Sequence, residues 1–154
     1  MRPLTLTRRR LAWLMATGLA VAAYPAFVLG YTWSHVLQSP LPGGRHGPLD
    51  AYRHTLASAV VAYTLDARVV QMVNGVMERR GKRANAMDIH NNLIGADIGS
   101  HAARFSDLEP TVAARVAAGR IDAIAPDQTT WLPPREWKDG FAWRARSTPG
   151  RCPS

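Results

Sequence analysis

No charged residue occurs between Leu11 and Trp33, a run of twenty-three positions dominated by apolar side chains. As a helix it extends over about 34 Å, against a bilayer core of about 30 Å. Arg8, Arg9 and Arg10 stand directly before it, and the next Lys or Arg is Arg45. The pattern predicts a transmembrane helix over residues 11–38 behind a basic cytoplasmic segment, residues 1–10. The positive-inside rule then places the rest of the chain in the periplasm, outside a bacterial-type inner membrane crossed once. Trp13 at one end, and Tyr31 with Trp33 at the other, stand where interfacial aromatics anchor a spanning helix. A second reading stays open. Leu11 to Leu19 has the length of a signal-peptide core, and Ala20-Val21-Ala22 or Val21-Ala22-Ala23 would serve as its cleavage site. Residues 7–11 also loosely resemble a twin-arginine export signal. The apolar run continues through Phe27, Val28 and Leu29, further than a cleaved signal requires, which favours the anchor.

Ser39 to Pro48 is rich in Pro and Gly and reads as a linker, residues 39–48, whose last proline suits the first turn of a helix. A helical domain, residues 49–120, follows. From Asp50 to Leu65 the pattern predicts a helix apolar around its whole circumference after Thr55, and therefore buried. From Asp66 to Arg80 it predicts an amphipathic helix with Val69, Met72, Val73 and Val76 inward and Gln71, Asn74 and Glu78 opposite. Arg79 to Arg83 reads as a solvated basic turn. Asn85, three residues before Asp88, resembles an N-cap, opening a helix from Ala86 to Phe105. Met87, Ile94, Ile98 and Phe105 form its core stripe, and Asn91 falls within that stripe. Gly95 and Gly99 let another backbone come close. Pro110 to Gly119 predicts a short Ala-rich helix. The remaining residues, 121–154, form an extended Trp/Pro-rich tail with no periodicity, whose anchors are Trp131, Trp137 and Trp143. Such aromatics need a covering surface, either a partner protein or the face of their own domain. The fold class is therefore all-α: one transmembrane helix, a cluster of about four helices and the tail.

Charge changes this picture only by exclusion. The formal net charge is +8, but residues 1–44 hold +4 of it, residues 45–109 only +1, and residues 110–154 the remaining +3. The compact part is nearly neutral, so a phosphate-facing basic surface is not expected and nucleic acid is not an expected partner. The lone Cys152 closes no internal disulfide and forms no thiolate zinc site.

Candidate chemistry sits at the starts of the two most buried helices. Asp50 and His54 share one helix face, as do Asp88 and Asn92. Buried polar groups need partners, so the two helix starts are expected to meet and satisfy each other. These residues, Asp50-Ala51-Tyr52-Arg53-His54, Glu78 and Met87-Asp88-Ile89-His90-Asn91-Asn92-Leu93-Ile94-Gly95, resemble a family of bacterial domains of unknown function, found in small exported proteins and at the C-termini of polymorphic toxins. The likeness covers about a third of the chain and implies a helical domain with a polar centre, without a defined reaction. Thr55-Leu56 replaces an aromatic pair common in that pattern, and Met77 stands where a His often precedes the Glu.

Two functions follow from the residues. The first is a membrane-anchored accessory or structural subunit packing on a larger membrane protein. The second is an exported hydrolase whose catalytic set is His54, Asp88, His90 and Asn91, with Asp50, Arg53 and Asn92 as binding residues beside the tryptophans. His54 could act as a base oriented by Asp50 or Asp88; a structural histidine is the simpler role. Asp88, His90 and Asn92 offer metal-type donors, but His90 points roughly 200° from Asp88 around a helix, so no metal is expected on this run. Asp97 and His101 read as an exposed ion pair. No nucleophile elbow and no phosphate-binding glycine loop occurs, and no cofactor can be assigned.

Overall fold

The computed structural model describes residues 7–77, 83–122 and 125–138. Glu78, the basic turn up to Lys82, Trp143 and Cys152 lie outside them. Five α-helices make up the described chain: α1 Arg8–Gln38, α2 Pro48–Thr64, α3 Ala67–Met77, α4 Arg83–His101 and α5 Leu108–Ala117. Two residue pairs, β1 Arg120–Ile121 and β2 Thr130–Trp131, form a short parallel ladder. The all-α expectation holds, including an N-terminal helix long and apolar enough to cross a membrane.

α2 is the central element. Gly47 caps it, Pro48 supplies the first-turn proline, and Asp50 reaches back from the first turn to accept the backbone N–H of His46 at 2.8 Å. Its apolar circumference is buried as expected, with Leu49, Tyr52, Leu56, Ala59 and Val60 all in the core. α4 runs parallel to it, because Gly95 lies against Thr55 and Gly99 against Ala59. A Cβ at either glycine would strike the carbonyl oxygen of the facing residue, so the approach expected from the small residues is present. α3 is the return between these parallel helices and starts on Asp66, whose Oδ1 accepts the Arg68 N–H at 2.7 Å. α5 closes the core with Leu108, Val112 and Val116.

α1 has two halves. From Tyr24 on it packs against the domain: Val28, Thr32 and Val36, one helical turn apart, are buried, Tyr24 Oη lies 2.7 Å from Thr64 Oγ1, and Phe105 gathers Phe27, Tyr31 and Tyr63 within 5.0–6.2 Å. Before Tyr24 the described side chains are exposed, including Leu11, Trp13, Leu14, Met15, Leu19 and Val21. The free stretch from Leu11 to Ala23 is about 20 Å long.

Three local expectations are corrected. α3 turns its other face inward: Val70 and Asn74 are buried, while Met72 is 65% exposed and Val73 also faces out. Asn74 donates no apolar area, but it accepts a 2.6 Å hydrogen bond from Asn92 Nδ2 on α4. The inward face thus joins this polar pairing to the packing of Val70 on Ala62 and Ala96. Asn85 is not an N-cap, since α4 already begins at Arg83. α4 also stops at His101, and Phe105 belongs to the single 3-10 turn that leads into α5.

Candidate functional site

Asp50 anchors a charged centre between α2 and α4. Its Oδ1 accepts from Arg53 Nε at 3.0 Å and Nη2 at 2.7 Å, and its Oδ2 takes the His46 amide. Arg53 Nη2 also donates to His54 Nε2 at 2.7 Å. That donation fixes the ring: Nε2 carries the lone pair and Nδ1 the proton, which goes to Asn92 Oδ1 at 3.2 Å. The same oxygen accepts the Ser58 hydroxyl at 3.0 Å. A chain of hydrogen bonds thus runs from Asp50 through Arg53, His54 and Asn92 to Asn74, crossing α2, α4 and α3. Asp88 Oδ1 sits 3.4 Å from His54 Nε2, and Asp50 Oδ1 sits 3.8 Å from it. The two helix starts meet as the sequence implied.

Electrostatics follow from this geometry. Burial, and then the neighbouring Arg53 guanidinium, push the His54 ring down to about 4, against the pull of Asp50 and the Asn92 hydrogen bond. The ring is neutral at physiological pH. Burial alone would raise Asp50, but the Arg53 guanidinium, helped by the His46 N–H, holds it below its ordinary range. Burial lowers His46 as well, opposed by Asp50.

The structure does not bring all the sequence candidates together. Asn91, fully buried, turns toward the tail: its Nδ2 donates to the Thr130 carbonyl at 2.7 Å, and its Oδ1 accepts the Thr130 N–H at 2.9 Å. An amide in this position acts as one more strand rung for β2, so the partner expected on α2 lies in residues 129–131 instead. His90 Nε2 lies 2.8 Å from the Gln128 carbonyl and borders a cleft of about 350 Å³ with Arg83, Met87, Asp122 and Leu132. Asp88, Asn92, His54, Asp50 and Arg53 share the centre; His90 and Asn91 face away from it. Asp97 and His101 form the exposed pair expected of them, at 3.2 Å.

The described part of the tail lies on its own domain, one of the two surfaces the sequence left open. Trp137 stacks over Gly43 and Gly47, where an added Cβ would stand 3.0–3.2 Å from its ring, and its Nε1 donates to the Leu132 carbonyl at 2.7 Å. Trp131 packs on the core. Arg45 and Lys138 exchange two backbone hydrogen bonds, of 2.9 and 3.0 Å, and the Leu132 N–H reaches the His46 carbonyl at 2.9 Å. Tail and linker therefore wrap around His46.

His46 is the residue that sequence reasoning missed. It stands in the Gly/Pro linker with a left-handed backbone, φ 71°, yet it is buried. Its Nδ1 approaches Asp50 Oδ2 at 3.9 Å. The available signal was its position four residues before Asp50. One donor atom each from His46, Asp50 and Asp88 lie within 4.8 Å of one another, whereas the sequence reading assigned no converging metal-type set. No protein-family model, no curated protein and no solved structure matches this chain.

Proposed function

We propose that this chain is a membrane-anchored accessory subunit that packs on a larger membrane protein, with its N-terminus in the cytoplasm and its helical domain on the periplasmic face of the inner membrane. The observation that carries the reading is the outward apolar stripe of α3. Met72, Val73 and neighbouring Leu65 stay exposed although the helix has a strongly apolar face that could have been buried. Large apolar side chains grouped on one exposed helix mark an interaction surface. The described part of the tail is already seated on its own domain, so the reading does not rest on it as the attachment element.

The position of α1 supports the membrane side. A core of about 30 Å takes in roughly twenty helical residues, more than the free stretch Leu11 to Ala23 provides. Insertion therefore draws the membrane past Ala23, toward the exposed Phe27, Tyr63 and Leu65 beside the packed half of α1. The packed half of α1 also begins at Tyr24, directly after the small-residue cleavage site. Both fates of the N-terminal segment leave Val28, Thr32 and Val36 in the core, and the intact mass of membrane-extracted protein separates them. A photo-crosslinking residue at Met72, activated in native membranes, tests the subunit reading. A single protein adduct of defined mass supports it; crosslinks to lipid alone overturn it.

The second reading, an exported hydrolase, is favoured by one feature, the oriented neutral His54 beside Asp88. Perturbed histidines cluster at functional sites. Loss of hydrolysis of a lipid, cell-wall or nucleic-acid substrate in His54→Ala with unchanged melting supports it. Equal activity of wild type and variant removes it.

A further inference from the structure

His46 is buried to a relative exposure of 7%, and among the described residues its Nδ1 has no hydrogen-bond partner. Buried polar atoms in folded proteins are nearly always satisfied, so such a nitrogen needs an account. It faces Asp50 Oδ2 from 3.9 Å, beyond hydrogen-bonding reach. The main chain holds it there from both sides, through the His46 N–H on Asp50 and the His46 carbonyl on Leu132.

The surroundings supply a donor set. One atom each from His46, Asp50 and Asp88 lie within 4.8 Å, a combination of imidazole nitrogen and carboxylate oxygens that suits zinc and its first-row neighbours. Bonds to zinc are about 2.0 to 2.2 Å long, so one ion between Nδ1 and Oδ2 bridges the 3.9 Å gap at an open angle. The Asp88 carboxylate, with an oxygen within 4.8 Å of the other two donors, would supply the third bond. Arg53 does not compete for this position. Its guanidinium binds the other oxygen of Asp50, Oδ1, while Oδ2 holds one amide N–H and keeps a second lone pair.

We propose that His46, Asp50 and Asp88 form a binding site for a single divalent transition-metal ion, zinc by preference, closed over by the linker and tail. The site stands independently of whether the protein is a subunit or a hydrolase. In either case the ion joins the linker to the starts of α2 and α4.

The test uses the full chain purified in detergent and stripped with a chelator. Isothermal titration with Zn²⁺, and Co²⁺ absorption in the visible region, should each report one equivalent, and Zn²⁺ should raise the melting temperature. His46→Ala should weaken binding at least ~10-fold, since even residues behind the ligands are worth about 10- to 100-fold, and should abolish the zinc-induced rise in melting. If His46→Ala does not fold, His46→Asn keeps a residue tolerant of the left-handed backbone and is measured in its place. Two results overturn the site: no binding of Zn²⁺, Co²⁺ or Mn²⁺ by the wild type, or binding that the His46 variant leaves unchanged.

Discussion

Replacing Asn91 with Leu removes the amide that holds β2 to α4 while nearly conserving side-chain volume. Two neutral hydrogen bonds are lost, those with the Thr130 N–H and carbonyl, at 2.9 and 2.7 Å. Each such bond contributes about 0.5 to 1.5 kcal/mol net, and stripping a buried group of its partner costs about 1 to 3 kcal/mol. Asn91 and Thr130 are both buried, so the solvent cannot replace these partners in the folded state. The expected loss is roughly 2 to 5 kcal/mol, a large part of the ~5 to 15 kcal/mol that holds a domain together. Urea unfolding in detergent, followed by far-UV circular dichroism, measures the total. Hydrogen exchange locates it: amides of Thr130 and Leu132 should lose protection first, and those of α2 last. Unfolding within ~0.5 kcal/mol of wild type, with Thr130 still protected, refutes the reasoning. The tail would then be held by its tryptophans and not by the amide.

Further expectations follow from other contacts. Gly99→Ala should destabilise the domain by about 1 to 3 kcal/mol, because the new methyl meets the Ala59 carbonyl and overpacking outweighs the helix preference of Ala. Gly75→Ala, with nothing among the described residues within 4 Å of the added carbon, should be neutral or stabilising by up to ~1 kcal/mol; thermal melts of the pair compare them. Stability of the chelator-treated protein should fall with pH between 6.5 and about 4. The unfolded chain takes up protons there that neutral His54 and His46 in the fold do not, so the stabilising term is complete above 6.5 and lost on descent. A melting temperature that stays flat across this window contradicts the neutral assignment. Truncation after Asp127 should lower the melting temperature as Asn91→Leu does, since both remove the Thr130 contacts.

Much of the architecture was legible because it rests on local rules. The uncharged run defined α1, Pro48 and Asp50 defined the start of α2, and Gly95 with Gly99 announced the close passage of α4. The meeting of Asp50 and His54 with Asp88 and Asn92 followed from the need of buried polar groups for partners. What escaped the sequence depended on tertiary competition. Periodicity placed Met72 and Val73 inward because apolar area usually decides a helix's rotation; here the inward face holds Val70, packed on Ala62 and Ala96, and Asn74, hydrogen-bonded to Asn92. Asn91 was expected to meet α2, but its partner, Thr130, lies thirty-nine residues on, in a segment without periodicity. His46 was hidden by its neighbours, since a Gly/Pro stretch reads as a solvated connection until the tail folds over it.

The enclosure of the charged centre by residues far apart in sequence also orders events during synthesis. Asp50, Arg53, His54, Asp88 and Asn92 lie on helices that can form once α4 has emerged. The segments that shut them in, Gln128 to Lys138, come later. At about 5 to 20 residues per second, the chain takes roughly 2 to 9 s to extend from Asn92 to Lys138. For that interval the centre faces water, with its carboxylates hydrated and His46 free to swing with its linker. Arg45 and Lys138 join only afterwards, and with them His46 becomes enclosed.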